Sequence, residues 1–330
     1  RPPPPHPPSR CEPAAAAAGA AGAAGWRRRL GARPGREGGA MIYTIFTLDN
    51  FYLSEDFLAH GTPSREAGVD ATTEDTLRCL GCELIQQGGI LLRLPQVTMA
   101  TGQVLFHRFY CKKSMTKFNV KRVAAGCIWL ASKLEECPRR IRDVLQVYER
   151  VHQRGKGRTS FTFLDVWSKR YEELKADLIK TERLLLREMG FICHVEHPHK
   201  FVFSYLNLLG FSKDSKDPRV VRLFQVAWNI ANDSLRTTLC VRVKSNVVAT
   251  AAVFIAAREV GAPLPSQSAW WQLFEVTEAE LVAALRVLVA LYQRPKATYI
   301  EVNPHVLESQ AAAAAKAAEQ EAAAAAAAAA

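Results

Sequence analysis

The sequence predicts an all-α protein built as two tandem five-helix domains with disordered or low-complexity ends. Three observations carry this. Good helix formers fill long runs of helical periodicity between residues 76 and 293, while alternating stretches such as Cys240–Val248 are few. Two runs, Ala124–Ser132 and Val247–Ala257, are apolar nearly all round, which marks helices buried among other helices. The third observation is an internal repeat: an offset of 125 residues lays Val123, Ala124, Cys127, Ile128, Leu130, Ala131, Lys133, Glu135 and Pro138 over Val248, Ala249, Ala252, Val253, Ile255, Ala256, Arg258, Glu259 and Pro263. The small residues at 124, 127 and 131 match those at 249, 252 and 256, and their spacing of three and four places them on one helix face. A period this long excludes a solenoid and points to two similar domains.

Taken in order, the predicted helices of the first domain lie near 76–87, 96–110, 119–135, 141–153 and 168–189. Thr73, Thr76 and the acidic Glu74–Asp75 supply the first N-terminus, and Gly190 stops the fifth helix. The second set lies near 198–209, 218–234, 245–259, 268–274 and 277–293. Composition divides the rest. Residues 1–40 read as a disordered leader, Pro-rich, then Ala/Gly- and Arg-rich, with an upstream stretch before a start at Met41 as the other reading. A lead-in follows at 41–75, whose clusters Ile42–Leu48 and Phe51–Leu58 are too apolar to stay solvated. The first domain then spans 76–195, the second 196–302, and an Ala-rich tail 303–330, in which a lone fraying helix is expected.

Charge and cysteine usage limit the function. The net charge of +11 divides into +5 on residues 1–40, −2 on 303–330 and +8 on the body between. A basic body suits an anionic partner: nucleic acid, a phosphoprotein or an acidic protein surface. Eight scattered cysteines, several within apolar helical runs, suggest buried thiols in a reducing compartment. The longest charge-free apolar stretch, Ser245–Ala257, is 13 residues, too short to span a bilayer. No secretory signal is expected from the Pro-rich opening, so an intracellular protein with no membrane partner is anticipated.

Catalytic signatures are missing from the sequence. It holds no Walker loop, G-x-G-x-x-G, G-x-S-x-G, H-E-x-x-H or EF-hand loop, so no cofactor or metal is expected. Cys79-Leu80-Gly81-Cys82 has no second cysteine pair and reads as two packed helix cysteines. His194, His197 and His199 flank Pro198 and read as hydrogen-bonded or solvated histidines. The basic run Arg139, Arg140 and Arg142, near Lys112, Lys113 and Lys117, is a candidate anion- or partner-binding surface.

Several segments carry a resemblance. Leu130-Ala131-Ser132-Lys133-Leu134-Glu135-Glu136 resembles the third-helix signature of a cyclin box. Its continuation Cys137–Val144, with Gly81–Gln86, Gly89–Gln96, Ala100–Phe106, His197–Lys200 and Asn232–Thr237, is similar to the L-type cyclins. Together these span about residues 43–295; the second box matches more weakly, and the Arg-Ser-rich tail of full-length members does not occur in these 330 residues. The resemblance implies a non-catalytic subunit that binds and activates a cyclin-dependent kinase of the PITSLRE type or a related transcriptional kinase. It also implies a nuclear role in transcription by RNA polymerase II and in pre-mRNA splicing, with splicing factors as further partners. Lys133 and Glu182 match the pair that holds the backbone around the kinase αC helix, and Phe109, Leu134 and Leu178 are the expected apolar neighbours. The competing reading is a nucleic-acid-binding transcription factor with paired cyclin boxes, favoured by the +8 body and the Arg154–Arg158 loop and opposed by the L-type segments.

Overall fold

A lead-in runs into the first bundle through short capped helices. In the computed structural model, which describes residues 52–303 except 156, 158–159, 213–215 and 266–268, α1 (Glu55–His60) starts on a Ser54 cap and α2 (Pro63–Glu66) on a Thr62 cap. The leader, the first lead-in cluster and the Ala-rich tail from 304 onward lie outside the described residues. Leu58 packs with Cys111 and Val241, and the Leu53 N–H donates to the Val241 carbonyl at 2.8 Å. The described part of the lead-in is therefore packed, as its apolar content requires.

The first bundle comprises α3 (Ala71–Leu91), α4 (Gln96–Tyr110), α5 (Val120–Leu134), α6 (Ile141–Gly155) and α7 (Lys169–Glu188). Its core is one apolar cluster containing Leu77, Ile85, Phe106, Phe109, Ile128, Val144 and Leu185. α5 runs through the middle, with eleven of its fifteen residues buried. α3 starts at Ala71, earlier than its predicted start at 76, because Asp70 is the cap: its carboxylate accepts from the Thr73 N–H at 3.0 Å. Glu74 consequently lies inside the helix and is buried. It accepts from Arg78 at 2.7 Å, Arg65 at 2.9 Å and Thr62 at 2.8 Å. Arg78 in turn donates to the carbonyls of His107 and Tyr110, the last turn of α4. Two buried charges thus satisfy each other and a helix end that would otherwise lack donors.

The second bundle comprises α8 (His199–Leu208), α9 (Pro218–Ser234), α10 (Ser245–Val260) and α11 (Glu278–Gln293), with 3-10 turns at Thr238–Val241 and Trp270–Phe274. The helix predicted near 268–274 is the second of these turns. Glu275 halts it in the left-handed region at φ 55°, which ends the segment after a single short 3-10 run. Among the described residues there are eleven α-helices and no strand. α10 is the counterpart of α5: Ala124, Cys127 and Ala131 in one, and Ala249, Ala252 and Ala256 in the other, are all fully buried. α11 begins with a complete capping box, Thr277 and Glu280 each binding the other's backbone.

The seam between the bundles is built on α4. Ala100 and Val104 pack on Leu235, and Gln96 donates to Asn232 Oδ1 at 2.8 Å. His107 Nε2 lies 3.0 Å from the Leu235 carbonyl, His197 Nε2 2.9 Å from Thr101 Oγ1, and His199 Nε2 2.6 Å from Asn232 Oδ1. Of the three histidines that the sequence left as hydrogen-bonded or solvated, His197 and His199 are hydrogen-bonded, and they lie on this seam with His107, which the sequence did not single out. Burial, with Arg78 beside it, lowers the His107 pKa to about 3. Burial, with His199 and Arg108 nearby, lowers that of His197 to about 4. Each ring stays neutral in the fold while the unfolded chain protonates it near pH 6.5. Their contribution is therefore intact above that pH and lost as pH falls toward 4, at about 1.4 kcal/mol per histidine by pH 5.5. We expect the melting temperature to fall between about pH 7.5 and 5.5, and His197→Gln to flatten that slope; a flat wild-type profile would contradict this burial.

After α11 the chain returns to the first bundle. Arg294 pairs with Asp75 at 2.9 Å, the Tyr299 hydroxyl accepts from Asn119 at 3.0 Å, and Lys121 Nζ lies 3.8 Å from the Tyr299 ring. Val302 and Ile300 join the first core. The seven cysteines among the described residues are free thiols, with Cys79, Cys82, Cys111 and Cys127 buried. No described helix is long and apolar enough to cross a membrane.

Candidate functional site

Lys133 occupies the last turn of α5, where a cation suits the helix dipole, and Glu182 lies in the second half of α7. The two helices meet closely because Gly126 has no side chain. A Cβ there would stand 2.5 Å from Thr181 Cγ2, so only glycine lets α7 approach at this point. Two turns further along α5, and one residue beyond Thr181, Lys133 Nζ meets Glu182 Oε1 at 2.6 Å. The ammonium also sits 3.6 Å from the centroid of the Trp129 ring, one turn back, and Trp129 Nε1 donates to the Arg139 carbonyl at 3.1 Å. The side chains of Lys133 and Glu182 are 40% and 13% exposed. With the ammonium open to water and the carboxylate mostly covered, the pair contributes on the order of 1 kcal/mol to stability. Its chemistry is instead that of a matched donor and acceptor held at a surface: three N–H bonds from the lysine and two oxygens from the glutamate, ready to exchange partners.

The apolar neighbours divide. Leu134 is 39% exposed and presents surface beside Lys133. Phe109 is fully buried, in edge-to-face contact with Tyr110 and Phe118, and offers nothing to a partner. It belongs to the core because α4 is covered on both flanks. Leu178 is also core, 4% exposed. The expectation that Phe109 and Leu178 present surface to a kinase is corrected accordingly. Trp129, the ring beneath the ammonium, was not singled out from sequence, although its position four residues before Lys133 is the available signal.

The basic run divides as well. Arg139 donates to the carbonyls of Leu92 and Arg93 at 3.0 Å and to those of Cys137 and Pro138 at 3.4 Å. It ties the turn after α3 to the turn after α5, where Arg93 and Glu136 both stand at φ 54°. Its guanidinium is committed to backbone, which corrects the reading of Arg139 as an anion-binding residue. Arg140 is exposed, and Arg142, also exposed, lies 3.8 Å from its neighbour Asp143. Arg139→Ala should lower stability by about 1.5–3 kcal/mol, while Arg140→Ala and Arg142→Ala should each stay within about 0.5 kcal/mol. Urea titration of the three variants checks this, and equal midpoints would refute the clamp.

Comparison with known proteins bears on this arrangement. The Cyclin, N-terminal domain family matches residues 52–193, which contain the whole of the first bundle and the Lys133–Glu182 pair. Cyclin-L1-1 of Oryza sativa subsp. japonica is 55% identical over 262 residues, covering 79% of this chain and 58% of that protein. Cyclin-L2 of Homo sapiens is 43% identical over 283 residues, covering 83% of this chain and 52% of that protein. This chain belongs to the L-type cyclins. It spans between 46% and 60% of the length of these and similar relatives. Among solved structures, a chain of the yeast RNA Pol II CTD kinase CTDK-1 complex superposes with a TM-score of 0.59 at 18% identity, over 80% of this cyclin and 83% of that chain. A chain of the CAK complex from Chaetomium thermophilum gives 0.54 at 17% identity, over 73% and 76%. At such identities the likeness is one of fold: the cyclin fold extends over both bundles.

Proposed function

We propose that this L-type cyclin is a regulatory, non-catalytic subunit that binds a cyclin-dependent kinase and activates it allosterically. The observation that carries the proposal is the Lys133–Glu182 pair, a donor and an acceptor joined at 2.6 Å on a surface where their mutual bond adds little stability. On meeting the kinase, Lys133 exchanges its carboxylate for backbone carbonyls flanking the αC helix, and Glu182 accepts backbone N–H groups. Leu134 supplies adjoining apolar surface. A kinase is active only with αC turned in, so a partner that binds that state preferentially shifts the population toward it. The fold-level likeness to chains of two kinase complexes supports this reading. We assign the partner to the PITSLRE type or a related transcriptional kinase, acting in the nucleus on RNA polymerase II transcription and pre-mRNA splicing, with splicing factors as secondary partners. Affinity purification of the tagged chain from nuclear extract, read by mass spectrometry and by phosphorylation of a polymerase C-terminal repeat peptide, tests it. Recovery of nucleic acid with no kinase, or of a kinase with no gain in activity, would sink it.

A further inference from the structure

A second site lies away from Lys133 and Glu182, on the seam where α3, the Thr238–Val241 turn and α11 meet. There a recess of 220 Å³ is lined by Arg78, Arg236, Arg242, Arg286 and Arg294, by the threonines 237 and 238, and by a single carboxylate, Asp75. Val287 and Ala290 complete the lining. None of these residues belongs to α5 or α7, the helices that carry Lys133 and Glu182.

Five guanidinium groups around one recess repel one another unless acids answer them, so the answering acids decide what the site can take. Arg78 is held by buried Glu74, and Arg236 by Glu83, with Asp233 at 3.9 Å. Arg294 is paired with Asp75 at 2.9 Å. Arg242 is answered weakly: Glu55 stands at 3.7 Å with 76% of its side chain exposed. Arg286 is exposed and pairs with no acid among the described residues. Arg236 Nε is buried and finds no acceptor among the described residues. Arg242 Nε donates to Thr238 Oγ1 at 2.8 Å, so the least answered cations lie on one side, at Arg286 and the Nη groups of Arg242, while the other side is fixed by packed pairs. It is smaller than the about 300–1,000 Å³ of a drug-sized pocket, which suits one anionic headgroup.

We propose that this recess binds the phosphoryl group of a phosphorylated serine or threonine in a partner protein. Guanidinium forks match phosphate oxygens bidentately, and a phosphoryl dianion outcompetes the lone, solvated Glu55 carboxylate for Arg242. The Thr238 hydroxyl, which accepts from Arg242 Nε at 2.8 Å, keeps its own proton to donate to a remaining oxygen, whereas Thr237 already donates to the Ser234 carbonyl. A nucleic acid is disfavoured by the surroundings. It brings a row of phosphates, and a row meets Glu55, Asp75, Glu83 and Asp233 around the arginines instead of a continuous basic stripe. A single phosphate on a chain of otherwise mixed charge meets only the recess.

The test uses the full chain and a short fluorescent peptide with one central phosphoserine, its unphosphorylated twin, inorganic phosphate and a single-stranded RNA oligonucleotide. We expect the phosphopeptide to bind about tenfold or more tightly than its twin and to be displaced by inorganic phosphate. Arg286→Ala and Arg242→Ala should each weaken it, and the double variant should remove the preference, with circular dichroism unchanged, and with the melting temperature kept by exposed Arg286→Ala and lowered slightly at most by Arg242→Ala, which gives up one bond to Thr238. Equal binding of the twins overturns the proposal, as does a preference that survives the double variant. So does millimolar inorganic phosphate binding without any gain from the peptide, an adventitious ion only. RNA binding that is lost with the same two arginines would assign the recess to nucleic acid and likewise overturn it. Kinase capture through Lys133 and Glu182 should be unaffected by either arginine, so the two sites fail or stand separately.

Discussion

A chain carrying Lys133→Ala together with Glu182→Ala is expected to fold normally and to lose capture of the proposed kinase partner. Normal folding follows from the position of the pair: a part-exposed ion pair adds on the order of 1 kcal/mol, and both alanines are good helix residues. Loss of capture follows from what the proposed complex asks of the pair. Once desolvated against kinase backbone, each group makes charge-assisted bonds, and truncation leaves its partner groups buried and unanswered, at about 2–5 kcal/mol or more. Affinity should fall by roughly thirtyfold at the least. Co-precipitation and kinase activity with the double variant, beside its melting curve, decide the matter. A variant that melts earlier but binds normally would show the pair to be a structural brace. Single variants should each lose much of the effect, because either leaves the other charge alone in the interface.

Ala131→Arg, by contrast, should unfold the first bundle. Ala131 is fully buried on the face of α5 that carries Ala124 and Cys127, where neighbouring helices pack against small side chains. Arginine there adds both volume and an unpaired charge, and such changes exceed about 4 kcal/mol against a total stability of about 5–15 kcal/mol. The melting temperature should drop by about 10 °C or more, or the cooperative transition should vanish. Ala256→Arg should do the same to the second bundle, since it holds the matching place in α10. If Ala131→Arg melts with the wild type, α5 is not the central helix of its bundle.

The legible part of this fold was what periodicity and side-chain size encode. Runs that are apolar nearly all round marked α5 and α10 as helices buried among others, and small residues at matching places marked the face on which neighbours pack closely. The start of α3 was not legible. Asp70 competes with Thr73 and Thr76 as a cap, and only the tertiary partners of Glu74 settle that the acid is interior. The site divided along the same line. Lys133 and Glu182 stand 49 residues apart and their meeting depends on Gly126, whose role as a contact point between α5 and α7 is invisible without the partner helix. Phe109 and Arg139 were misjudged for one reason. An aromatic residue or an arginine near a functional segment serves a core or a backbone carbonyl as readily as a surface, and the sequence does not say where either points.

The return of the chain after α11 sets an order in time. Asn119 and Tyr299 are 180 residues apart, and Ile300 and Val302 complete a core whose other members lie before residue 194. A ribosome that has just released the first bundle has yet to make the segment that covers it. The nascent bundle therefore waits, with part of its apolar surface open, until nearly the whole second bundle has been synthesised. Long-range closure of this kind slows folding and lengthens exposure to aggregation. A chain stopped just after α11 would hold that open condition permanently, so chaperone retention of ribosome-stalled chains ending before and after residue 302 should differ.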